Sequence, residues 1–493
     1  MLLREIASYL AQTQGFSAFS DGLAVVQTGG YTQLICTARG ENRVAAIGLG
    51  TVEAPPTQTI DPVVSDHIGG DMALQTVAGG IRLFVFAAYS AAMRAGLLDA
   101  AGLPGRMGVV DSDLGVLLAV TAMELIEFGT TDVAVLAQRN LAGLRLFAMT
   151  GSTDPVQTAL ITDGQKTFLD GISDVVSLQI GAARYVITAS ALENGLTCLQ
   201  IGADGQAVVT DSLGAVSGLW VNGPAALQAV EFMGQSFVVL GATLSSSISV
   251  VRVNPMGVLF VADHLTDDRS TRFDGIAALD LFAAQGRLFV VAAGTDAGLT
   301  VLEMLPGGTL QPYRTFVLET GTGLGAVSGI TAHVMGGAVS VFLVDAAAAD
   351  RIQHFELSLN DLGPLLQATG GVINGTALND RMIGSAGDDR LQAGAGADFL
   401  HDGAGQDVMV GGAGADVFVM AQDAQRDSIT DYQSGEDLVD LSAWGRIYSH
   451  TVLSIEATAT GAQISYGDET LVLIAANGES LAASGFSDTD FLF

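Results

Sequence analysis

A strict nine-residue repeat from Gly375 to Val419 constrains the fold of this chain more than any other feature of its sequence. The copies read GTALNDRMI (375–383), GSAGDDRLQ (384–392), AGAGADFLH (393–401), DGAGQDVMV (402–410) and GGAGADVFV (411–419). Their eighth places are all apolar: Met382, Leu391, Leu400, Met409 and Phe418. A glycine turn followed by a short strand with one core side chain predicts a parallel β-roll, whereas a flexible Gly/Asp-rich linker would not keep the apolar place.

Each copy also carries an aspartate at its sixth place. These residues are Asp380, Asp389, Asp398, Asp407 and Asp416. Calcium takes six or more oxygen ligands, and a glycine-rich turn supplies backbone carbonyls while the aspartate adds charge. Two copies make one turn of a roll, so copies two apart stack on the same edge. The spacing therefore predicts about three Ca²⁺ ions, between the copies that begin at 375 and 393, 393 and 411, and 384 and 402.

The repeats resemble the repeats-in-toxin (RTX), or hemolysin-type, calcium-binding proteins, and residues 411–442 are similar to the segment that closes the roll in serralysin-type secreted proteases. The resemblance implies that an ion takes second- and fourth-place carbonyls and the aspartate of one copy. First- and third-place carbonyls and the aspartate two copies on complete the site. The best implied site is Gly394, Gly396 and Asp398 with Gly411, Ala413 and Asp416. A second is Ser385, Gly387 and Asp389 with Asp402, Ala404 and Asp407. A third, which departs from the glycine pattern, is Thr376, Leu378 and Asp380 with Ala393, Ala395 and Asp398.

The end of the chain, FSDTDFLF, is also similar to the end of those secreted proteins. The resemblance implies an uncleaved signal for export by a type I secretion transporter, and hence a secreted, extracellular protein. The first residues, MLLREIASYLAQTQG, lack the apolar run of a Sec signal peptide, which agrees with that route. The alternative is an ordinary last strand, in which Phe491 and Phe493 cap the roll.

The charge of the chain limits its partners. The formal net charge is −32, and Lys166 is the only lysine, so nucleic acid and anionic membranes are not expected partners. Residues 380–440 hold 13 acids against three arginines, which predicts a loose segment without calcium. The sequence contains no apolar run with the length and pattern of a transmembrane helix. Cys36 and Cys198 lie in apolar strand patterns and are interpreted as buried apolar residues.

A longer repeat occupies the first part of the chain. RLFVFAA (82–88) returns as RLFVVAA (287–293), four units of about 51 residues later, and similar strands fill in seven units. Four short strands per unit predict a seven-bladed β-propeller over residues 1–362, with residues 2–10 closing blade seven. An open solenoid is the alternative, but it would leave two exposed edges. The predicted protein is thus all-β: propeller, RTX roll (363–420), and a C-terminal β cap with the secretion signal (421–493).

The sequence contains no recognisable catalytic motif. His-Glu-x-x-His, Gly-x-Ser-x-Gly and a phosphate-binding loop are all absent from it, so enzymatic activity is not predicted. Asp280 and His333 lie on predicted inner strands. Five aspartates begin such strands and are expected around one mouth of the channel: Asp21, Asp71, Asp113, Asp170 and Asp274. Turn formation is the preferred interpretation of these residues, and a ring that holds a cation or polarises a substrate is the alternative. Two hypotheses follow: a calcium-binding protein whose propeller binds a surface glycan or protein, and an extracellular lactonase- or phosphatase-like hydrolase with a carboxylate or metal site at the channel mouth.

Overall fold

The computed structural model shows a protein of strands and short 3-10 helices. It describes residues 2–10, 19–28, 31–38, 44–49, 58–60, 68–77, 80–87, 93–98, 108–111, 120–129, 131–149, 156–318, 326–345 and 351–493. Asp113 and the side chains of Asp21 and Asp71 lie outside these residues. One compact unit comprises Leu2–Phe282 and Leu288–Leu357, and the other comprises Ala283–Arg287 and Ser358–Phe493. Within the described ranges, no helix is long and apolar enough to cross a membrane.

The first unit contains seven four-stranded antiparallel sheets among its described residues. A single strand, β1 (Leu3–Leu10), precedes them. The first two sheets are β2 (Phe19–Thr28), β3 (Tyr31–Ala38), β4 (Val44–Leu49) and β5 (Gln58–Ile60), then β6 (Ile68–Val77), β7 (Gly80–Ala87), β8 (Met93–Leu97) and β9 (Gly108–Asp111). The next two are β10 (Val120–Ile126), β11 (Asp132–Gln138), β12 (Gly143–Met149) and β13 (Val156–Thr162), then β14 (Ile172–Ile180), β15 (Ala183–Ser190), β16 (Gly195–Ile201) and β17 (Ala207–Leu213).

The remaining three sheets follow the same plan. They are β18 (Pro224–Phe232), β19 (Gln235–Ala242), β20 (Ser247–Val253) and β21 (Leu259–Thr266), then β22 (Ala278–Ala284), β23 (Arg287–Ala293), β24 (Gly298–Met304) and β25 (Leu310–Val317). The last comprises β26 (Val327–Met335), β27 (Ala338–Asp345) and β28 (Arg351–Ser358), with β1 paired antiparallel on the free edge of β28. The repeated apolar segments lie in the second strands of their sheets, as residues 82–87 do in β7 and residues 287–293 in β23.

The cores of this unit lie between consecutive sheets. Second strands such as β15, β23 and β27 are buried on both faces, which explains their continuous apolar runs. One core cluster joins Leu34 and Cys36 of the first sheet to Phe342 and Ile352 of the last. β2 also contacts β26, so the first sheet meets the last. A propeller requires such contacts, and we retain the seven-bladed propeller as a proposal for this unit.

Aspartate side chains connect neighbouring sheets of this unit. Asp174 Oδ2 accepts a hydrogen bond from the Leu227 N–H at 2.7 Å, and Asp280 Oδ2 accepts one from the Ala332 N–H at 2.8 Å. The other oxygen of each carboxylate accepts from the N–H of the following residue. Asp263 bridges to the Leu310 N–H in the same way. These carboxylates are therefore structural, since each one satisfies the backbone of two strands.

The second unit is built on two sheets, one parallel and one that is parallel apart from two antiparallel strands at one edge. One contains β29 (Leu362–Gln367), β31 (Asn379–Ile383), β33 (Phe399–His401), β35 (Val417–Val419), β37 (Leu438–Asp440) and β41 (Phe491–Leu492). The other contains β30 (Gly371–Asn374), β32 (Asp389–Ala395), β34 (Val408–Ala413), β36 (Arg426–Tyr432), β40 (Glu469–Ala475), β39 (Gly461–Tyr466) and β38 (Ser454–Thr458). Among the described residues, 3-10 helices are found at Ala215–Ser217 in the first unit and at Ser442–Trp444, His450–Val452, Ala483–Gly485 and Asp488–Asp490 in the second.

Successive repeats alternate between the two sheets, as the sequence predicts for a β-roll. All five eighth-place side chains are fully buried between the sheets, in one cluster with Ile429 and Val439. Trp444 and Phe491 belong to the same core. The strands β38, β39 and β40 form an antiparallel extension, here called the cap, and β40 pairs with β36.

Candidate metal centre

The sixth-place aspartates form two hydrogen-bonded ladders, one along each edge of the roll. In each ladder, Oδ1 of one aspartate accepts from the backbone N–H of the aspartate one turn earlier, at 2.7–3.1 Å. The 380 ladder is Asp380, Asp398, Asp416 and Asp437. The 389 ladder is Asp389, Asp407 and Asp427. Copies two apart therefore stack on the same edge.

The ladders leave one oxygen of several carboxylates without a partner. These buried atoms are Asp389 Oδ1, Asp398 Oδ2, Asp407 Oδ2 and Asp416 Oδ2. No described lysine or arginine lies within salt-bridge distance of these four carboxylates. A buried charged oxygen without a hydrogen bond or an opposite charge is strongly unfavourable. A cation with oxygen ligands fits these residues, because it satisfies the unpartnered atoms and neutralises the charge.

Burial also changes the protonation of these groups. Removal from water raises the pKa of Asp398, Asp407 and Asp416 to about 7, and that of Asp402 to about 8. Neighbouring carboxylates in the same ladder raise these pKa values further. In the metal-free roll, these groups are therefore partly protonated near neutral pH. Calcium would compete with those protons, because only the carboxylate form is a ligand.

The backbone carbonyls of the turns line the same edges. A Cβ added to Gly412 would lie 1.8 Å from Gly394 O, and one added to Gly414 would lie 1.9 Å from Gly396 O. On the other edge, a Cβ on Gly403 would lie 2.1 Å from Ser385 O. Glycine is required at Gly412 because its φ is +103° and the carbonyl of the preceding turn fills the space of a side chain. Second- and fourth-place carbonyls thus face the copy two further on.

The predicted ligands are neighbours in the structure. Gly411 lies beside the unpartnered oxygen of Asp416, since a Cβ there would be 2.2 Å from Asp416 Oδ2. The Ala413 carbonyl accepts from the Gly396 N–H at 2.9 Å, and the Ala404 N–H donates to Ser385 O at 2.9 Å. A Cβ on Gly405 would be 2.7 Å from the carbonyl carbon of Gly387. The copies at 393 and 411, and those at 384 and 402, are therefore stacked; their assignment as calcium ligands stays a prediction.

The pair of copies at 375 and 393 differs from the other two pairs. Both oxygens of Asp380 are engaged within its own turn, because Oδ2 accepts from the Thr376 N–H and Oδ1 from Thr376 Oγ1. Ser385 holds only Oδ2 of Asp389. In the copy at 375, where the glycine pattern is weakest, Thr376 thus satisfies both oxygens of the aspartate.

Three residues that join the ladders were not predicted from the repeat. Asp427 follows Asp407 by 20 residues and Asp437 follows Asp416 by 21, so neither keeps the nine-residue period. A useful signal was the apolar core residue two places later, Ile429 or Val439. Gln433 is the third: its Nε2 donates to Gly412 O at 3.1 Å and to Gly414 O at 3.3 Å.

The comparison with known families agrees with this geometry. Residues 374–401 and 383–418 match the model of the RTX calcium-binding nonapeptide repeat. No curated protein matches the chain. The stacked strands, the shared core and the family match together identify residues 374–418 as RTX calcium-binding nonapeptide repeats. They lie within a parallel β-solenoid of about four turns over residues 362–440.

Proposed function

We propose that this is a secreted calcium-binding protein in which calcium completes the folding of the roll after export, and in which the first unit is a propeller that serves as a binding platform. The observation that carries the first part is the set of four buried aspartate oxygens without partners. Without metal, folding must either bury these charges or protonate the carboxylates, and both reduce stability near neutral pH; calcium binding offsets this penalty.

Trp444 offers a direct test of calcium-dependent folding. It is buried in the roll core, whereas the other tryptophan, Trp220, is exposed and lies in the first unit. In full-length Trp220→Phe protein, we expect Trp444 fluorescence to indicate an exposed indole in excess chelator. Calcium should restore the buried signal with a midpoint of roughly 10⁻⁴–10⁻³ M. A fully native Trp444 signal in excess chelator would contradict the proposal.

The export step is supported by the resemblance of the C-terminal segment to the type I signal of secreted RTX proteins. In the structure, this segment also completes the roll: β41 pairs with β37, and Phe491 is buried. Fusion of residues 434–493 to a passenger protein should carry it into the medium through a matching type I transporter. Retention of the fusion in a transporter-deficient strain is the control. Equal secretion by that strain would show that another route is used.

The platform role is supported by exposed apolar side chains at one end of two neighbouring sheets. Leu192 and Leu244 lie in the turns after β15 and β19, while Val216 and Trp220 lie in the connection from β17 to β18. All four are exposed. The strand registers place these turns and this connection at the same ends of the two sheets. Exposed apolar side chains at one end of neighbouring sheets are consistent with an interaction site there.

A binding screen against surface glycans and proteins, performed with calcium-loaded protein, tests the platform. Trp220→Ala should abolish a genuine interaction without changing the melting temperature, because the Trp220 side chain is exposed. Val452→Ala, at an exposed position in the second unit, is the control. Equal binding by both variants would place the interaction elsewhere. Asp280 does not support the hydrolase, because both oxygens of its carboxylate accept backbone hydrogen bonds.

A further inference from the structure

The exposed apolar side chains of the first unit lie on a continuous surface, formed by turns and connections at one end of three neighbouring sheets. The turn after β15 is joined to the start of β18, because Asn194 Oδ1 accepts from the Gly223 N–H at 2.8 Å. The turn after β19 is joined to the segment before β22, because Ser246 Oγ accepts from the Gly275 N–H at 3.0 Å. Two core clusters also join these sheets in pairs. We call this surface the platform face; it comprises residues 163–171, 191–194, 214–223, 243–246, 267–277 and 294–297.

Three large apolar side chains on this face are exposed but restrained. Leu192 and Leu244 each lie over a glycine, since a Cβ added there would come within 2.9 Å of the leucine Cγ. Leu192 (70%), Leu244 (72%) and Trp220 (73%) are nevertheless mostly exposed. A hydrogen bond from Trp220 Nε1 to Ala215 O at 3.2 Å restrains the indole. Side chains that are already held in place lose little further freedom on binding, so covering them with a partner is favourable.

Carboxylates flank these apolar side chains on both sides. The segments of the middle sheet, 214–223 and 243–246, contain no charged residue. The segments of the sheets on either side contain seven acids against Lys166, Arg269 and Arg272. The acids are Asp163, Asp170 and Glu193 on one side and Asp267, Asp268, Asp274 and Asp296 on the other. The centre of the platform face is therefore neutral and apolar, and both of its edges are acidic.

The acids repel one another within each edge. Burial and the nearby carboxylates of Asp163 and Asp170 raise the pKa of Glu193. Burial and two carboxylates of its own edge likewise raise the pKa of Asp296, although the Arg272 guanidinium opposes the shift. A positively charged partner would relieve this repulsion, because the carboxylates of each edge would gain an opposite charge.

A glycan and a second copy of the chain both fit this face less well. Polar groups beside the leucines are already engaged within the protein. Thr243 Oγ1 donates to Ile276 O at 2.7 Å. Ser246 Oγ donates to Asp274 Oδ1 at 2.6 Å. A glycan would need groups of this kind for its hydroxyls, and a second copy would be repelled, because the chain carries 52 acids against 20 lysines and arginines.

We propose that the platform face binds a protein segment in which lysine or arginine residues lie beside large apolar side chains. This inference rests on the proposed function of the first unit as a binding platform, and it names the chemistry of the partner. The apolar side chains of the segment would cover Leu192, Leu244 and Trp220. Its cations would pair with the carboxylates of the two edges, and hydrogen bonds between a cation and a carboxylate are among the stronger ones in proteins.

Defined peptides test the partner chemistry on the full-length, calcium-loaded protein. The probe is a fluorescein-labelled amphipathic peptide of leucine and lysine, and its binding is measured by fluorescence anisotropy. One control peptide has glutamate in place of every lysine, and the other has serine in place of every leucine. We expect the leucine–lysine peptide to bind at least about tenfold more tightly than both controls, because only this peptide matches the apolar centre and the acidic edges.

Matched variants locate the binding on the platform face. Leu244→Ala should raise the Kd of the leucine–lysine peptide by about fivefold or more. Met256→Ala should not change it, because Met256 is equally exposed but lies at the other end of the same sheet, in the turn after β20. Glu193→Gln should raise the Kd by about threefold, and this effect should shrink at high salt. Glu231→Gln removes the same charge at the far end of β18 and should leave the Kd unchanged.

Equal Kd values for each variant and its control would overturn the inference, as would binding of the leucine–glutamate peptide that is as tight as that of the leucine–lysine peptide. The screen against surface glycans and proteins tests the platform function separately. A partner from that screen that depends on Trp220 but is neutral or acidic would keep the platform and refute this partner chemistry. Absence of any partner in the screen, together with absence of Trp220-dependent peptide binding, would refute both.

Discussion

Substitution of Asp398 by asparagine should have opposite effects on stability in the two conditions. In chelator the variant should be at least as stable as the wild type, and in calcium it should be less stable. The asparagine side chain would keep an oxygen to accept from the Asp380 N–H, which Asp398 Oδ1 does at 2.7 Å. The substitution removes the charge and replaces the unpartnered Oδ2 by a neutral NH2 group, which is less costly to bury than a charged oxygen. In chelator, burial makes that charge unfavourable, and for this reason the pKa of Asp398 is raised to about 7. The variant should therefore be at least as stable as the wild type without calcium.

In calcium, the same variant should be destabilised. A site with an affinity of roughly 10⁻⁴–10⁻³ M contributes about 1.4–2.7 kcal/mol to the free energy of unfolding at about 10 mM calcium. Asp398 is placed to serve two ions, one with the copy at 375 and one with the copy at 411, so the loss should be about 3–5 kcal/mol. Asp380→Asn affects one predicted site, and the expected loss is about half as large.

Urea unfolding of the full chain measures both effects. The signal is Trp444 fluorescence in the Trp220→Phe background, recorded in chelator and in calcium for the wild type, Asp398→Asn and Asp380→Asn. Equal losses for the two variants in calcium would refute the sharing of ions between stacked copies. An Asp398→Asn loss that is as large in chelator as in calcium would show that the side chain acts through hydrogen bonding and not through metal.

Three further predictions concern the protonation, the turns and the N-terminal strand. The pKa values of Asp398, Asp407 and Asp416 are raised from 3.8 to about 7, so the metal-free roll should lose stability as the pH rises through about 7. Calcium midpoints should therefore be higher at about pH 5 than at about pH 8. A pH-independent calcium midpoint in a fluorescence titration would contradict this. Gly412→Ala should lower the free energy of unfolding in urea by about 2–5 kcal/mol, because its Cβ would lie 1.8 Å from Gly394 O. Gly478 also has a positive φ but has open space around it, so Gly478→Ala should lower the free energy of unfolding less. Equal losses would mean that backbone strain alone decides. Removal of residues 1–12 deletes β1 and exposes the edge of β28, so the protein should melt earlier or aggregate, and unchanged melting and sedimentation would show that β1 does not stabilise the sheet.

The periodic features of the roll were predictable because they are local. An aspartate two places before an apolar residue gives both the ligand and the core side chain, as in Asp398 and Leu400, and the nine-residue period gives the stacking. Asp427 and Asp437 were missed because their turns are longer by two and three residues, which ends the period although the ladder continues. The proximity of the Asp402, Asp407 and Asp427 carboxylates depends on which side chains face each other across turns, and no spacing rule contains that information.

In the first unit, the strand repeats were visible but the purpose of many polar residues was not. Asp174 and Asp280 sit in first strands, where a sequence pattern fits a channel-lining role as well as a structural one. Their bonds to Leu227 and Ala332 show that they bridge sheets. Such a bridge is a contact between residues of different repeats, so its partner is known only once the sheets are placed side by side. Exposed apolar residues such as Trp220 are likewise recognised only after burial is known.

The alternation of repeats between two sheets restricts how such a roll can change length in evolution. Aspartates in one ladder are 18 residues apart within the repeats, which is two copies. Insertion of a single copy would move every later strand to the opposite sheet. The cap, which now extends the sheet that begins with β30, would then extend the sheet that begins with β29. Insertion of two copies would lengthen both sheets equally and leave the cap on the same side. Natural relatives with this cap are therefore expected to differ by even numbers of copies.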